Sequence, residues 1–154
     1  MFRGISSASI DAKGRVALPT RFRELVRLIS EGKVVVTIDM REKCLLLYPL
    51  SEWEIVQRKL ESLPNVGTQA RLLQRLLIGH ATDIDMDGNG RILLSQMLRD
   101  YAELAKRLVL VGQGNKIELW SEVQWAERRD EWLSPDSKAL LSGRGVRVLT
   151  GLSL

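Results

Sequence analysis

Asp11 and Arg15 stand four residues apart around Lys13-Gly14, and the same arrangement returns as Asp87 and Arg91 around Asn89-Gly90. An arginine guanidinium presents a planar fork of donors that can meet two acceptors at once, on a guanine edge or on a phosphate, with a geometry lysine lacks. Lys13 adds only charge, while Gly14 lets the backbone approach a phosphate closely. The aspartates suit a bracing role: Asp11 can hold Arg15 or Arg91 so that less side-chain freedom is lost on binding. Arg3, Arg21 and Arg23 are supplementary phosphate candidates. The competing reading is structural, with Arg15 and Arg91 each bridging to the other copy's aspartate.

The elements that must position these residues also come twice. Val16 and Leu18 follow the first motif and Ile92 and Leu94 the second, and a helix-like stretch then carries Arg23 or Arg99 at the same offset. Leu45, Leu47, Tyr48 and Trp53 answer to Ile117, Leu119, Trp120 and Trp125, with the offset shortened from 76 to 72. Order, character and spacing kept together mark an internal repeat. Ile5–Ile10 and Val16–Leu18 read as a β-hairpin around Lys13-Gly14, and Asn89-Gly90 is the stronger turn signal of the two. Phe22, Leu25, Val26 and Ile29 then line one face of a helix that Gly32 can stop, and Met97, Leu98, Tyr101, Leu104 and Ala105 repeat the stripe. Each copy offers about four short strands and closes in a helix, with capping boxes at Ser51–Glu54 and Ser121–Gln124. Trp53, Trp120, Trp125 and Trp132 fall at positions expected to be buried.

With 154 residues, 45% hydrophobic and 27% charged, the chain has the composition of a globular protein. A unit of roughly 50 to 60 residues buries its core only marginally alone, so the copies are expected to share one. No apolar run is long enough to span a bilayer and no secretory signal stands at Met1-Phe2-Arg3-Gly4, which points to the cytoplasm. Cys44 is a lone cysteine inside an apolar run and reads as a small buried hydrophobe. The net charge of +4 is unevenly spread: residues 1–30 hold six cations against two carboxylates, a net +4, whereas 77–106 hold three against five, a net −2. The first copy is the cationic one, as a polyanion site or a solvated face would be.

Enzyme and metal chemistry find little support. Asp83-x-Asp85-x-Asp87-Gly88 starts like a calcium loop, but the twelfth position, where a bidentate glutamate is required, is Leu94. His80 is the only histidine, so no histidine-based metal cluster can be built and nothing identifies a nucleophile beside it. Phosphate-cradling and dinucleotide-binding glycine patterns are missing.

A hairpin bearing Asp-x-Lys-Gly-Arg, a hydrophobic strand, then Pro19 and a short helix resembles the swapped-hairpin fold of the AbrB family of bacterial transcription factors. Two copies, with Met1-Phe2-Arg3-Gly4, Pro19-Thr20-Arg21, Cys44-Leu45-Leu46-Leu47-Tyr48-Pro49, Trp53 and Gly79-His80, resemble the MraZ family over residues 1–132. The resemblance implies an α+β protein in which tandem AbrB-like repeats form one pseudo-twofold β-barrel core with flanking helices. The divisions expected are a first repeat over 5–52, a helical connector over 53–80, a second repeat over 81–124, and a C-terminal helix with a loose tail over 125–154. It further implies a nucleoid-associated regulator of the division and cell-wall gene cluster. Such subunits assemble into a closed ring and bind short direct repeats of double-stranded DNA in their own promoter. Carried over by position, Asp11 with Arg15 and Asp87 with Arg91 face the DNA, with Lys13, Gly14, Asn89, Arg3 and Arg21 beside them. No cofactor, metal, membrane or small-molecule substrate is expected. Because Asn89 replaces Lys13 in the second copy, the first hairpin is expected to do most of the reading. The alternative is a non-enzymatic ring-forming adaptor with only nonspecific nucleic-acid affinity.

Overall fold

The computed structural model describes residues 1–64 and 67–141. Strand β1 (Phe2–Ser9) takes its partner from the other copy: it runs antiparallel to β7 (Arg107–Gly114), from Phe2↔Gly114 to Ser9↔Arg107. Strand β3 (Lys33–Ile38) pairs with β4 (Leu45–Pro49) and also reaches across the repeat to β5 (Thr82–Asp85). With β8 (Ile117–Ser121) these make one six-stranded sheet in the order β1-β7-β8-β4-β3-β5. Strands β2 (Arg15–Ala17) and β6 (Arg91–Leu93) leave that sheet and form a ribbon with each other, Val16 opposite Ile92. Leu46 lies opposite Glu118 in the same reciprocal manner, so a pseudo-twofold axis relates the copies.

Two expectations are corrected here. The hairpin between Ile5–Ile10 and Val16–Leu18 shrinks to one bridge, Ile10↔Val16, because β1 and β2 give their backbone groups to strands of the second copy. No closed barrel is found among the described residues: β1 and β5 are the edges of an open sheet, and the β2–β6 ribbon stands apart from it.

Period-2 alternation decides what each strand buries. Val34, Val36 and Ile38 of β3 and Leu45 and Leu47 of β4 join Val16, Leu18, Ile92, Leu94, Leu108 and Leu110 in one core drawn from both copies. Val35, Leu46 and Tyr48 point to the opposite face, where Trp53 of α2 (Leu50–Glu61) covers them. Helix α1 (Thr20–Ser30) buries Phe22 and Val26, with Phe22 edge-on to Phe2 at 5.7 Å. It ends with two left-handed residues, Glu31 and Gly32, where the sequence marked only the glycine.

Other helix signals shift in register. Helix α2 starts at Leu50 behind Pro49 with no side-chain cap, so the box at Ser51–Glu54 is not formed: the proline's fixed φ already starts the helix one residue earlier. Helix α3 (Thr68–Leu73) continues as a π turn over Gln74–Ile78 and stops at Gly79, whose amide meets the Gln74 carbonyl. Helix α4 (Gln96–Tyr101) is capped by Ser95 and buries Leu98. It ends before Leu104 and Ala105, since Glu103 turns left-handed at φ 52°.

The described residues up to Glu122 form one compact unit, and those from Val123 to Leu141 belong to a second. The second holds most of α5 (Glu122–Trp132) and α6 (Pro135–Ala139), the latter capped by Ser134. Trp53 and Trp120 are buried as expected, but Trp125 is half-buried and Trp132 is 37% exposed. Seven residues apart on α5, those two rings meet edge-on at 5.9 Å, and the Arg128 guanidinium lies 4.9 Å from the Trp132 centroid. The loose tail expected from Ser142 onward lies outside the described residues.

Candidate nucleic-acid interface

Both repeat motifs fold into the same tight turn. The Asp11 amide donates to the Arg15 carbonyl and the Gly14 amide to the Asp11 carbonyl, each at 3.0 Å; Asp87 and Gly90 do the same at 2.9 and 3.0 Å. Asp11 Oδ1 accepts from the Lys13 and Arg15 amides at 2.9 Å, and Asp87 Oδ1 from the Asn89 and Arg91 amides at 2.9 Å. An aspartate reaches its own backbone two residues on without strain, which is why it can hold such a turn. Gly14 and Gly90 close the turns at φ 92° and 74°, a region costly for residues with a Cβ.

The second oxygen of each aspartate accepts from its own arginine. Arg15 Nε meets Asp11 Oδ2, and Arg91 Nε meets Asp87 Oδ2, both at 2.8 Å. The structural alternative of bridges crossing between copies is therefore not what forms. An exposed ion pair of this kind adds little stability, so its effect is to aim the arginine. With Nε engaged, both Nη groups of Arg15 and of Arg91 have no protein partner among the described residues, and the side chains are 32% and 33% exposed. The Arg15 amide, then the Arg15 side chain and the Lys13 amide, hold the Asp11 carboxyl down at about 2 against partial desolvation. The Arg91 amide leads the same downward shift at Asp87. Both carboxylates are charged at neutral pH.

The β2–β6 ribbon turns these two arginines the same way. Val16 and Ile92 are fully buried, so alternation places Arg15, Ala17, Arg91 and Leu93 on the outer face. Arg15 lies opposite Leu93 and Arg91 opposite Ala17. From strand rise and spacing, the two arginine Cα atoms are about 8 Å apart on the diagonal.

Side chains of the other copy support each turn. The Leu18 amide donates to the Gly90 carbonyl and the Leu94 amide to the Gly14 carbonyl. Arg23 packs its guanidinium against Gly90 and donates Nε to the Leu18 carbonyl, while Arg27 Nη2 reaches the Gly88 carbonyl at 3.1 Å. Arg99 packs against Gly14, its Nε buried without a partner. The shared offset of Arg23 and Arg99 was the available signal for this support; Arg27 had none, since its counterpart is Glu103. Two sequence candidates lie elsewhere: Arg21 crosses β1 at Gly4 and donates to Ser6 Oγ at 2.9 Å, lining a shallow surface hollow with Arg3, Phe22 and Leu25. Arg3 is eight residues before Asp11, roughly 25 Å of extended chain.

The family model described as "MraZ protein, putative antitoxin-like" matches residues 1–76 and again 77–139. The chain belongs to the MraZ family. It is 51% identical over all 154 residues, and over the whole of that protein, to "Transcriptional regulator MraZ" of Thioalkalivibrio sulfidiphilus. It is 54% identical over 136 residues to the protein of the same name in Hydrogenovibrio crunogenus, covering 88% of this chain and 90% of that one. The Marinomonas sp. MraZ is 54% identical over 137 residues, 89% and 91% of the two chains.

In this MraZ-family chain two other residues raised by the sequence, Asp85 and His80, have partners of their own. Asp85 lies 3.6 Å from Lys33, and His80 Nδ1 lies 2.8 Å from the Leu76 carbonyl. Asp39, Cys44 and Glu118 bring one possible ligand atom each within 4.8 Å of one another. Burial raises the Cys44 thiol and the Glu118 carboxyl, and Glu118 accepts from Trp120 Nε1 at 3.0 Å. No helix among the described residues is long and apolar enough to cross a membrane.

Proposed function

We propose that this chain is a DNA-binding transcriptional regulator that lays the outer face of the β2–β6 ribbon into the major groove, whose width admits a two-stranded β-ribbon. The observation that carries the reading is the pair of Nε-anchored arginines, Arg15 and Arg91, with free Nη forks on one outward face. Each fork suits the O6 and N7 acceptors of a guanine. Lys13 meets a flanking phosphate, and Asn89 can hydrogen-bond there. The name carried by the relatives, transcriptional regulator, supports the same conclusion and a non-catalytic role in the cytoplasm, at the nucleoid.

One ribbon makes few contacts, so a subunit binds weakly. Several ribbons on a closed homo-oligomeric ring, engaging evenly spaced direct repeats in the promoter of the chain's own division and cell-wall cluster, gain by raised effective concentration. A footprint on that upstream region, with duplex affinity titrated against salt, tests the reading. Protected repeats and a steep salt slope are expected. No footprint together with salt-insensitive behaviour would overturn it in favour of an adaptor that holds protein partners.

A further inference from the structure

The outer face of the ribbon carries an apolar residue that its charge does not explain. Leu93 is 56% exposed, directly opposite Arg15, while its repeat counterpart Ala17 stands opposite Arg91. Opposed residues on one face of an antiparallel pair have Cβ atoms about 5 Å apart. A guanidinium beside Leu93 therefore reaches a base edge adjoining the one the leucine touches. The thymine methyl is the apolar feature of the major groove, and a leucine branch matches it where a polar side chain would not. Ala17 is too short to fill the matching place near Arg91.

We infer that Leu93 is a specificity-determining residue that contacts a thymine methyl beside the guanine read by Arg15, on one side of the pseudo-twofold axis only. This rests on the DNA-reading proposal above. The backbone would present a palindromic face, and the Leu93/Ala17 difference makes it directional. A directional face reads a non-palindromic box, which is what direct repeats require of each subunit.

The test uses the full chain and duplexes it selects from a randomised library, with each thymine then replaced by deoxyuridine to delete its methyl. Wild type is expected to lose about three- to fivefold in affinity at one strand-specific thymine, the scale of one buried methyl group. Leu93→Ala should bind the unmodified box more weakly and become indifferent to that replacement, while Leu93→Met keeps the penalty. A flat deoxyuridine scan in wild type, a consensus without thymine beside the guanine, or an unchanged penalty in Leu93→Ala overturns the inference and leaves the DNA-reading proposal standing. Failure to enrich any sequence overturns both. Because Leu93 lies outside the core, matched melting curves identify any variant lost to misfolding, and the wild-type scan decides the matter without it.

Discussion

The turns at Asp11–Arg15 and Asp87–Arg91 share every backbone bond and differ in what grips them from behind. Arg27 reaches the Gly88 carbonyl and Arg23 lies against Gly90, so two cations of the first copy support the second turn. Among the described residues the first turn has only Arg99 of the second copy behind it, because the position matching Arg27 is Glu103, which pairs with Lys43 at 2.9 Å. The charge contrast between the copies therefore does not survive folding. Lys13, Arg15 and Arg99 gather at one turn and Arg91, Arg23 and Arg27 at the other. A repeat that exchanges strands also exchanges its side chains' addresses, and a preference for the first turn then rests on Lys13.

The largest effects test whether both turns read DNA. Arg15→Ala and Arg91→Ala are each expected to cost about 1–3 kcal/mol of affinity per engaged turn, measured by anisotropy on assembled protein. Wild-type affinity in either variant would break the equivalence. Next come the glycines. A Cβ at Gly14 would sit 2.9 Å from the Leu94 carbonyl oxygen, whereas at Gly90 the nearest atom, at 2.7 Å, belongs to the Arg23 side chain, which can give way more readily than backbone. Both substitutions strain a left-handed residue, so urea unfolding should show Gly14→Ala losing about 2 kcal/mol and Gly90→Ala about 1. Equal losses would mean that the two supports are equally rigid.

Smaller still is the charge at the tips. Lys13→Asn should reduce the slope of log affinity against log salt by about 0.9, and Asn89→Lys should add the same. If neither moves, the tips do not touch phosphate. The subtlest check is acid titration. Asp11 is depressed to about 2, so its contribution to stability is complete above its ordinary value of 3.8 and disappears as pH falls through about 2. A carboxyl resonance titrating near 3.8 in the folded chain would show that the brace to Arg15 is absent in solution.

Much of this was legible in residue order because it is local. The Asp-to-amide bonds span two and four residues, Gly14 and Gly90 mark positive φ, and the strand alternation of Val34–Ile38 is written in its side chains. What stayed hidden is non-local. Ile5–Ile10 and Val16–Leu18 have the pattern of a hairpin, yet nothing in that pattern says that Arg107–Gly114 offers β1 a longer ladder. Arg23 reads in the sequence as a supplementary phosphate candidate, because its position against Gly90 depends on a fold 67 residues further along the chain. Pro49 overrode the capping signal at Ser51 through a conformational bias that acts before any side-chain bond can form. The position of Trp132 in its helix predicts burial, yet the ring is 37% exposed.

The pairing of Phe2–Ser9 with Arg107–Gly114 has a cost in time. On a ribosome adding roughly 5–20 residues per second, the first strand emerges some seconds, about 5 to 20, before its mate exists. Through that interval a nascent edge with open hydrogen-bonding groups waits unpaired, able to pair with the wrong strand or with a sister chain on the same message.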